Sequence, residues 1–140
     1  MRNSFIFLLP VVAVTGCQTM LVYNGNIAAG DNKEAVAVCK VLETEYIKSG
    51  LKEYDDMPPP KSAYYWTSWF TSPTAVSTNC NGIAVAEWIN NGTVFLSIVP
   101  QPGCSDYSRV FGEHMRGFIT TNFPNLEWTL NAKSELDFDR

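Results

Sequence analysis

The chain has 140 residues, which is the length of a single domain of ordinary size. Apolar residues make up 46% of it, aromatic residues 13% and charged residues only 17%, a composition typical of folded globular proteins and unlike that of disordered chains. The net charge of −4 disfavours the basic surface that nucleic-acid binding requires, so we expect no nucleic-acid partner.

The N-terminal residues have the pattern of a bacterial secretion signal. Arg2 supplies one positive charge, and an apolar run of about ten residues follows, too short to span a bilayer. The run ends in Val14-Thr15-Gly16-Cys17, which resembles the lipobox of bacterial lipoproteins. The resemblance implies cleavage before Cys17, whose thiol would then carry diacylglycerol as a membrane anchor. The alternative is an ordinary signal peptide with a chance cysteine.

The residue after the lipobox cysteine bears on the location of the protein. In lipoproteins of enteric type an aspartate at this position favours retention in the inner membrane, and Gln18 stands there instead. We therefore expect a lipid-anchored protein of the outer membrane that faces the periplasm. We expect residues 1–16 to be the signal peptide, residues 17–30 a short membrane tether, and residues 31–140 a single α+β periplasmic domain.

The predicted elements of the domain begin with a helix over about residues 32–49. Asp31 and Glu34 match a capping pair, apolar residues follow at helical spacing, and Gly50 stands where a C-terminal glycine belongs. Cys39 falls on the apolar stripe, so we expect a buried thiol, with a reactive or intermolecular thiol as the alternative.

A strand rich in aromatic residues is predicted next, after a proline run that cannot be helical. Its five aromatic residues fall within seven positions: Tyr64, Tyr65, Trp66, Trp69 and Phe70. Side chains alternate between the two faces of a strand, so both sets cannot easily be buried beneath the same helices. We therefore predict a partner-binding surface at Tyr65, Trp66, Trp69 and Phe70. The alternative is that one set packs beneath a loop.

The clearest local signal is a hairpin within residues 83–99. Two β-rich runs flank Asn91-Gly92, the dipeptide most typical of a two-residue hairpin turn. With these two residues as the loop, Trp88 lies opposite Phe95. Apolar residues then occupy both faces, which indicates central strands of a sheet.

A second helix is predicted from Ser105, and Pro124 ends it. Its predicted apolar stripe consists of Tyr107, Val110, Phe111, His114 and Phe118. From Leu126 onward apolar and polar residues alternate, and we favour a hairpin with a three-residue turn at 131–133 over a single strand with a loose tail. The elements together predict an α+β fold: a mostly antiparallel sheet of four to five strands, with two helices on one face and a possible extra terminal strand.

Three cysteines remain once Cys17 is assigned to lipid. The hairpin register places Cys80 opposite residue 103, so we predict a Cys80–Cys104 disulfide in the oxidising periplasm. His114 is the only histidine and is expected to be a partly buried packing residue. The sequence contains no Gly-x-Ser-x-Gly, no His-Glu-x-x-His and no glycine-rich phosphate loop. We therefore expect no enzymatic activity, no metal and no small-molecule cofactor.

Three classes of function are consistent with these features. The first is an accessory lipoprotein that binds and helps assemble an envelope machine, since its size, anchor and small α+β domain are similar to those of secretin pilotins. The second is a periplasmic inhibitor or immunity protein against a toxin or hydrolase. The third is a glycan-binding module that uses the tryptophans. We favour the first, with the membrane and an envelope protein as partners.

Overall fold

The computed structural model describes residues 19–53, 67–71, 82–101 and 103–136. In chain order these contain β1 (Thr19–Ala28), α1 (Asn32–Lys48), β2 (Lys52–Glu53), β3 (Thr67–Thr71), β4 (Ile83–Asn90), β5 (Thr93–Pro100), α2 (Ser105–Asn122) and β6 (Glu127–Leu136). The strands form one antiparallel sheet in the order β2-β3-β4-β5-β1-β6. The predicted α+β class is confirmed, with six strands in these ranges where four to five were expected.

Both helices pack on one face of the sheet, which we call the helical face. Tyr46 of α1 packs edge-on against Phe70 of β3, with ring centroids 5.1 Å apart, and approaches Phe111 of α2 at 6.2 Å. The core fills the space between the helices and this face. Its buried sheet residues are Tyr23, Ile27, Phe70, Ile83, Val85, Ile89, Val94, Leu96, Ile98 and Leu130.

The first helix begins and ends where its sequence signals predict. The side chain of Asp31 accepts a hydrogen bond of 2.8 Å from the backbone N–H of Glu34, as an N-cap does. The helix ends at Lys48, and Gly50 follows with a φ of +96°, a conformation that favours glycine. Cys39 is fully buried on the inner side of this helix, as predicted.

The hairpin formed by β4 and β5 has the predicted turn and register. Asn91 and Gly92 have φ values of +50° and +75°, and a type I′ turn requires positive values at both positions. Trp88 pairs with Phe95, as expected. The turn also contacts the start of α1, where the Gly92 N–H donates to Asn32 Oδ1 at 2.8 Å.

The predicted tether over residues 17–30 is wrong over its described part, because residues 19–28 form β1. This strand lies between β5 and β6 and pairs with both. Its alternate residues Tyr23 and Ile27 are buried in the core, so the strand is held by side-chain packing as well as by backbone hydrogen bonds. The domain therefore begins at least as early as Thr19.

The predicted C-terminal hairpin is also wrong, and the alternative of a single strand is correct. Residues 127–136 form one strand, β6, which pairs with β1 over all ten positions from Ala28↔Glu127 to Thr19↔Leu136. A hairpin at 131–133 was expected because thirteen alternating residues in one strand would span about 43 Å, which is long for a domain of this size. The continuous ladder along β1 keeps β6 extended.

The second helix has the predicted start, and its buried side matches the predicted stripe in part: Phe111 is buried, and Tyr107 and Phe118 pack against the core. Its buried residues are Ser108, Phe111, Gly112, Met115 and Ile119. Val110 from the predicted stripe is 65% exposed. The helix approaches the sheet through small residues, since a Cβ added at Gly112 would lie 2.6 Å from the Tyr23 ring. Ser108 and Gly112 lie on the buried side although neither is a large apolar residue, so an apolar pattern alone does not locate that side.

Candidate functional site

Two of the four residues predicted to bind a partner, Tyr65 and Trp66, lie outside the described residues. The described part of this segment is β3, an inner strand next to β4. Within it, the backbone of Trp69 pairs with Ala86 and that of Thr67 pairs with Trp88. These pairings concern the backbone alone, so the predicted binding role of Tyr65, Trp66 and Trp69 stays a prediction.

The fourth residue, Phe70, is part of the core, and its predicted binding role is wrong. Its side chain is 1% exposed and packs against the ring of Tyr46. Its register partner is Val85, which is itself fully buried beneath the helices. Phe70 is therefore on the helical face, where a partner cannot reach it.

The other side of the sheet, which we call the open face, carries the residues Val22, Ala84, Ala86, Trp88, Phe95 and Val99. These positions alternate along their strands with core residues such as Val85 and Leu96, so their side chains point away from both helices. None of the six belongs to the core cluster. Val22 and Ala86 are nevertheless buried, at 6% and 8% exposure, so only part of this face is accessible, and Trp88 is its exposed residue among the six.

A pair of stacked aromatic rings stands on the open face. Trp88 and Phe95 face each other across the hairpin, with ring centroids 5.6 Å apart and planes inclined by only 12°. Trp88 is 36% exposed, which makes it one of only four large hydrophobic residues at or above that exposure within the described ranges. A rigid aromatic pair with an accessible ring is the type of anchor that protein interfaces favour.

The sequence predicted the pairing of Trp88 with Phe95 but not the exposure of Trp88. The hairpin turn fixes which residues are opposite each other. It does not tell which face the helices cover, because that depends on contacts between distant parts of the chain. Phe70, which was expected on the binding surface, is buried at 1% exposure, whereas Trp88, for which the sequence made no prediction of exposure, is 36% exposed.

A second unusual feature is the buried carboxyl group of Glu87, at the centre of the helical face. Its side chain is fully buried, and neither carboxylate oxygen has a hydrogen-bond partner in the part of the chain that the structure describes. Burial raises the pKa of Glu87 well above its ordinary value, and the charge of Glu43 raises it further. The Tyr46 hydroxyl and the Cys39 thiol lower this pKa, without offsetting burial.

Two of the groups beside Glu87, the Tyr46 hydroxyl and the Cys39 thiol, are also buried. Burial raises the pKa of Tyr46 and of the Cys39 thiol, and the nearby Glu87 adds to both effects. All three side chains are closed to solvent. The cluster is therefore placed to affect the stability of the domain rather than to meet a substrate.

His114 joins the two helices at the edge of this core. Its Nε2 lies 2.7 Å from Glu45 Oε1, and the Glu45 side chain is almost buried while that of His114 is half exposed. His114 was predicted to be partly buried by packing, whereas the structure places it as an exposed residue that contacts Glu45 through a hydrogen bond. The ring of His114 also makes a tilted contact with the ring of Phe111, with 6.5 Å between their centroids.

The cysteines fall into two kinds. Cys39 is a free, buried thiol. Cys104 immediately precedes α2, is itself disulfide-bonded, and its sulfur accepts a hydrogen bond of 3.1 Å from the Gly82 N–H at the base of the hairpin. Cys80 and Cys17 lie outside the described residues, so the pairing of Cys80 with Cys104 and the lipidation of Cys17 stay predictions.

Within the described ranges there is neither a metal-binding cluster nor a helix that could span a membrane. No three histidine, cysteine, aspartate or glutamate side chains in them are grouped so that they could hold a metal ion. Neither of the helices there has the length and apolar character needed to cross a membrane. In comparisons with known proteins, no family model, curated protein or solved structure matches this chain.

Proposed function

We propose that the protein is a non-enzymatic lipoprotein of the bacterial outer membrane that binds a protein partner, as an accessory or assembly factor of an envelope machine. The stacked Trp88–Phe95 pair on the open face is the observation that carries this proposal. Such a pair is apolar, rigid and accessible at Trp88, so a partner gains contact area without ordering flexible side chains.

The membrane part of the proposal depends on the lipobox. Val14-Thr15-Gly16-Cys17 supports a diacylglycerol anchor at Cys17, and Gln18 supports delivery to the outer membrane. A covalent lipid holds a domain at a membrane without placing it inside, which suits a protein that recruits another to the envelope.

The charge of the chain indicates the kind of partner. The net charge is −4, and exposed Glu127 stands at the end of the open face nearest the aromatic pair. A partner with an apolar contact for Trp88 and basic residues around it would match both properties.

The proposal is tested by affinity with two matched variants. The tagged full-length protein is purified from detergent-solubilised envelopes, its partner is identified by mass spectrometry, and the dissociation constant is measured with both components pure. Trp88→Ala should weaken binding at least about tenfold, as loss of an interface anchor does. Val110→Ala, which also removes an exposed apolar side chain but from α2, should leave binding within about twofold.

The outcomes also separate the classes of function. Unchanged binding by Trp88→Ala, with an intact fold by circular dichroism, would contradict the proposed surface. A resident envelope subunit as the partner supports the assembly role, whereas a secreted toxin or a cell-wall hydrolase would make the protein an inhibitor. Quenching of tryptophan fluorescence by envelope sugars, without a protein partner, would support glycan binding instead.

A further inference from the structure

We propose that the end of the sheet at which β1 begins rests on the phospholipid headgroups, with the Asn91-Gly92 turn directed away from the membrane. This inference rests on the lipid anchor at Cys17 in the proposed function. Beyond the anchor itself, it states how the domain is oriented on the membrane and which of its surfaces contacts lipid. Both follow from the position at which β1 starts.

The distance between anchor and fold is very short. β1 begins at Thr19, two residues after Cys17. Two residues of fully extended chain span at most about 7 Å. The lipid-bearing residue must therefore lie next to the first residue of the strand, and the domain cannot stand off from the membrane.

The first residues of β1 are held in the fold, so they cannot lengthen the connection between Cys17 and the domain. Thr19 pairs with Leu136, and the ladder to β6 continues without interruption to Ala28. Leu21 is tied to α2 as well: its N–H donates to Ser105 Oγ at 3.3 Å, and its carbonyl accepts from Ser108 Oγ at 2.8 Å. Releasing these residues to lengthen the tether would break backbone and side-chain hydrogen bonds together.

These contacts also identify the surface that meets the lipid. The first turn of α2 lies at the same end as the start of β1, because Ser105 and Ser108 bond to Leu21. The base of the hairpin lies there too, since Ile83 pairs with Pro100 and Gly82 bonds to Cys104. We call this the anchor end of the domain.

The aromatic pair lies far from the anchor end. Phe95 pairs with Asn26 of β1, seven residues beyond Thr19, which is about 23 Å along a strand. The Asn91-Gly92 turn is farther still, beside Ala28. A net charge of −4 disfavours further contact with anionic headgroups. The domain therefore contacts the membrane only at its anchor end, and its strands are directed away from the membrane rather than along it. Trp88 then faces the periplasm, within reach of a partner.

The orientation is tested with the full-length lipidated protein in vesicles of phosphatidylethanolamine and phosphatidylglycerol that carry nitroxide-labelled headgroups. A fluorescent unnatural amino acid replaces either Asp106, exposed at the anchor end, or Asn91, exposed in the turn. We expect quenching at position 106 to be at least about threefold stronger than at 91, because contact quenching requires the dye to reach the headgroups. A flexible linker of twelve residues inserted between Gln18 and Thr19 should reduce this difference.

Two results would overturn the inference, and they can be told apart. Equal quenching at the two positions, or stronger quenching at Asn91, in a chain whose intact mass includes the lipid on Cys17 would contradict the orientation alone. A full-length chain with no lipid on Cys17 would remove the anchor, and with it both this inference and the membrane part of the proposed function.

Discussion

At the scale of single residues, the buried carboxyl group of Glu87 is predicted to make the stability of the domain depend on pH. Its folded-state pKa is raised by burial, so the folded protein holds this proton more tightly than the unfolded chain does. The free energy of unfolding is therefore highest below the ordinary pKa of glutamate and falls as pH rises towards the folded-state pKa. Within that window the fall is about 1.4 kcal/mol per pH unit.

Glu87→Gln should remove this slope, because an amide does not ionise. We expect parent and variant to have similar stability near pH 4 and the variant to be more stable at pH 8, by urea unfolding monitored at both pH values. Glu127→Gln is the matched control on an exposed glutamate and should leave the slope in place. A parent and a Glu87→Gln variant with parallel pH profiles would show that Glu87 has no raised pKa.

Two glycines in one helix give a second residue-scale prediction. A Cβ at Gly112 would lie 2.6 Å from the Tyr23 ring, whereas one at Gly117 would meet nothing within 4 Å. Gly112→Ala should therefore lower the free energy of unfolding by about 1–3 kcal/mol through overpacking. Gly117→Ala should raise it by about 0.5–1 kcal/mol, the usual gain in a helix interior. Chemical denaturation checks both, and effects of the same sign would contradict the observed packing of α2.

Among the elements, those specified by local sequence were predicted well. Asp31 and Gly50 mark the ends of α1, and Asn91-Gly92 sets the register of the hairpin, because capping and turn conformations depend on neighbouring residues. β1 was expected only as a possible extra terminal strand, because Asn24-Gly25-Asn26 at its centre is typical of a turn and its partner β6 lies about a hundred residues later. Pairing between strands that are distant in sequence is difficult to predict from the pattern of neighbouring residues.

The contact between the base of the hairpin and the start of α2 leads to a prediction about the disulfide that is expected to link these two elements. Gly82, two residues after Cys80, bonds to the Cys104 sulfur, which supports the predicted Cys80–Cys104 disulfide across the hairpin base. Cys104→Ser should lower the free energy of unfolding by about 3–4 kcal/mol, and a reductant should have no further effect on that variant. Non-reducing peptide mapping should find Cys80 linked to Cys104 and Cys39 as a thiol. Cys39 in a disulfide would contradict both the pairing and the burial of that thiol.

For the whole molecule, the division of the sheet into two unlike faces decides where a partner can bind. Both helices and the core occupy the helical face, which removes Phe70 from the candidate site. The open face retains Trp88 and Phe95 at the end away from β1's first residue. The sequence predicted two helices on one side of the sheet, but it could not assign the side, since that choice is made by packing between distant segments.

The measurement that most directly tests the proposed function is site-specific photocrosslinking in cells. A photoreactive aromatic amino acid replaces Trp88 on the open face or, as the matched control, Val110 on the outer side of α2. We predict that an envelope protein crosslinks from position 88 and not from position 110. Adducts that are the same from both positions, or the absence of any protein adduct from position 88, would contradict the assignment of the open face as the binding surface.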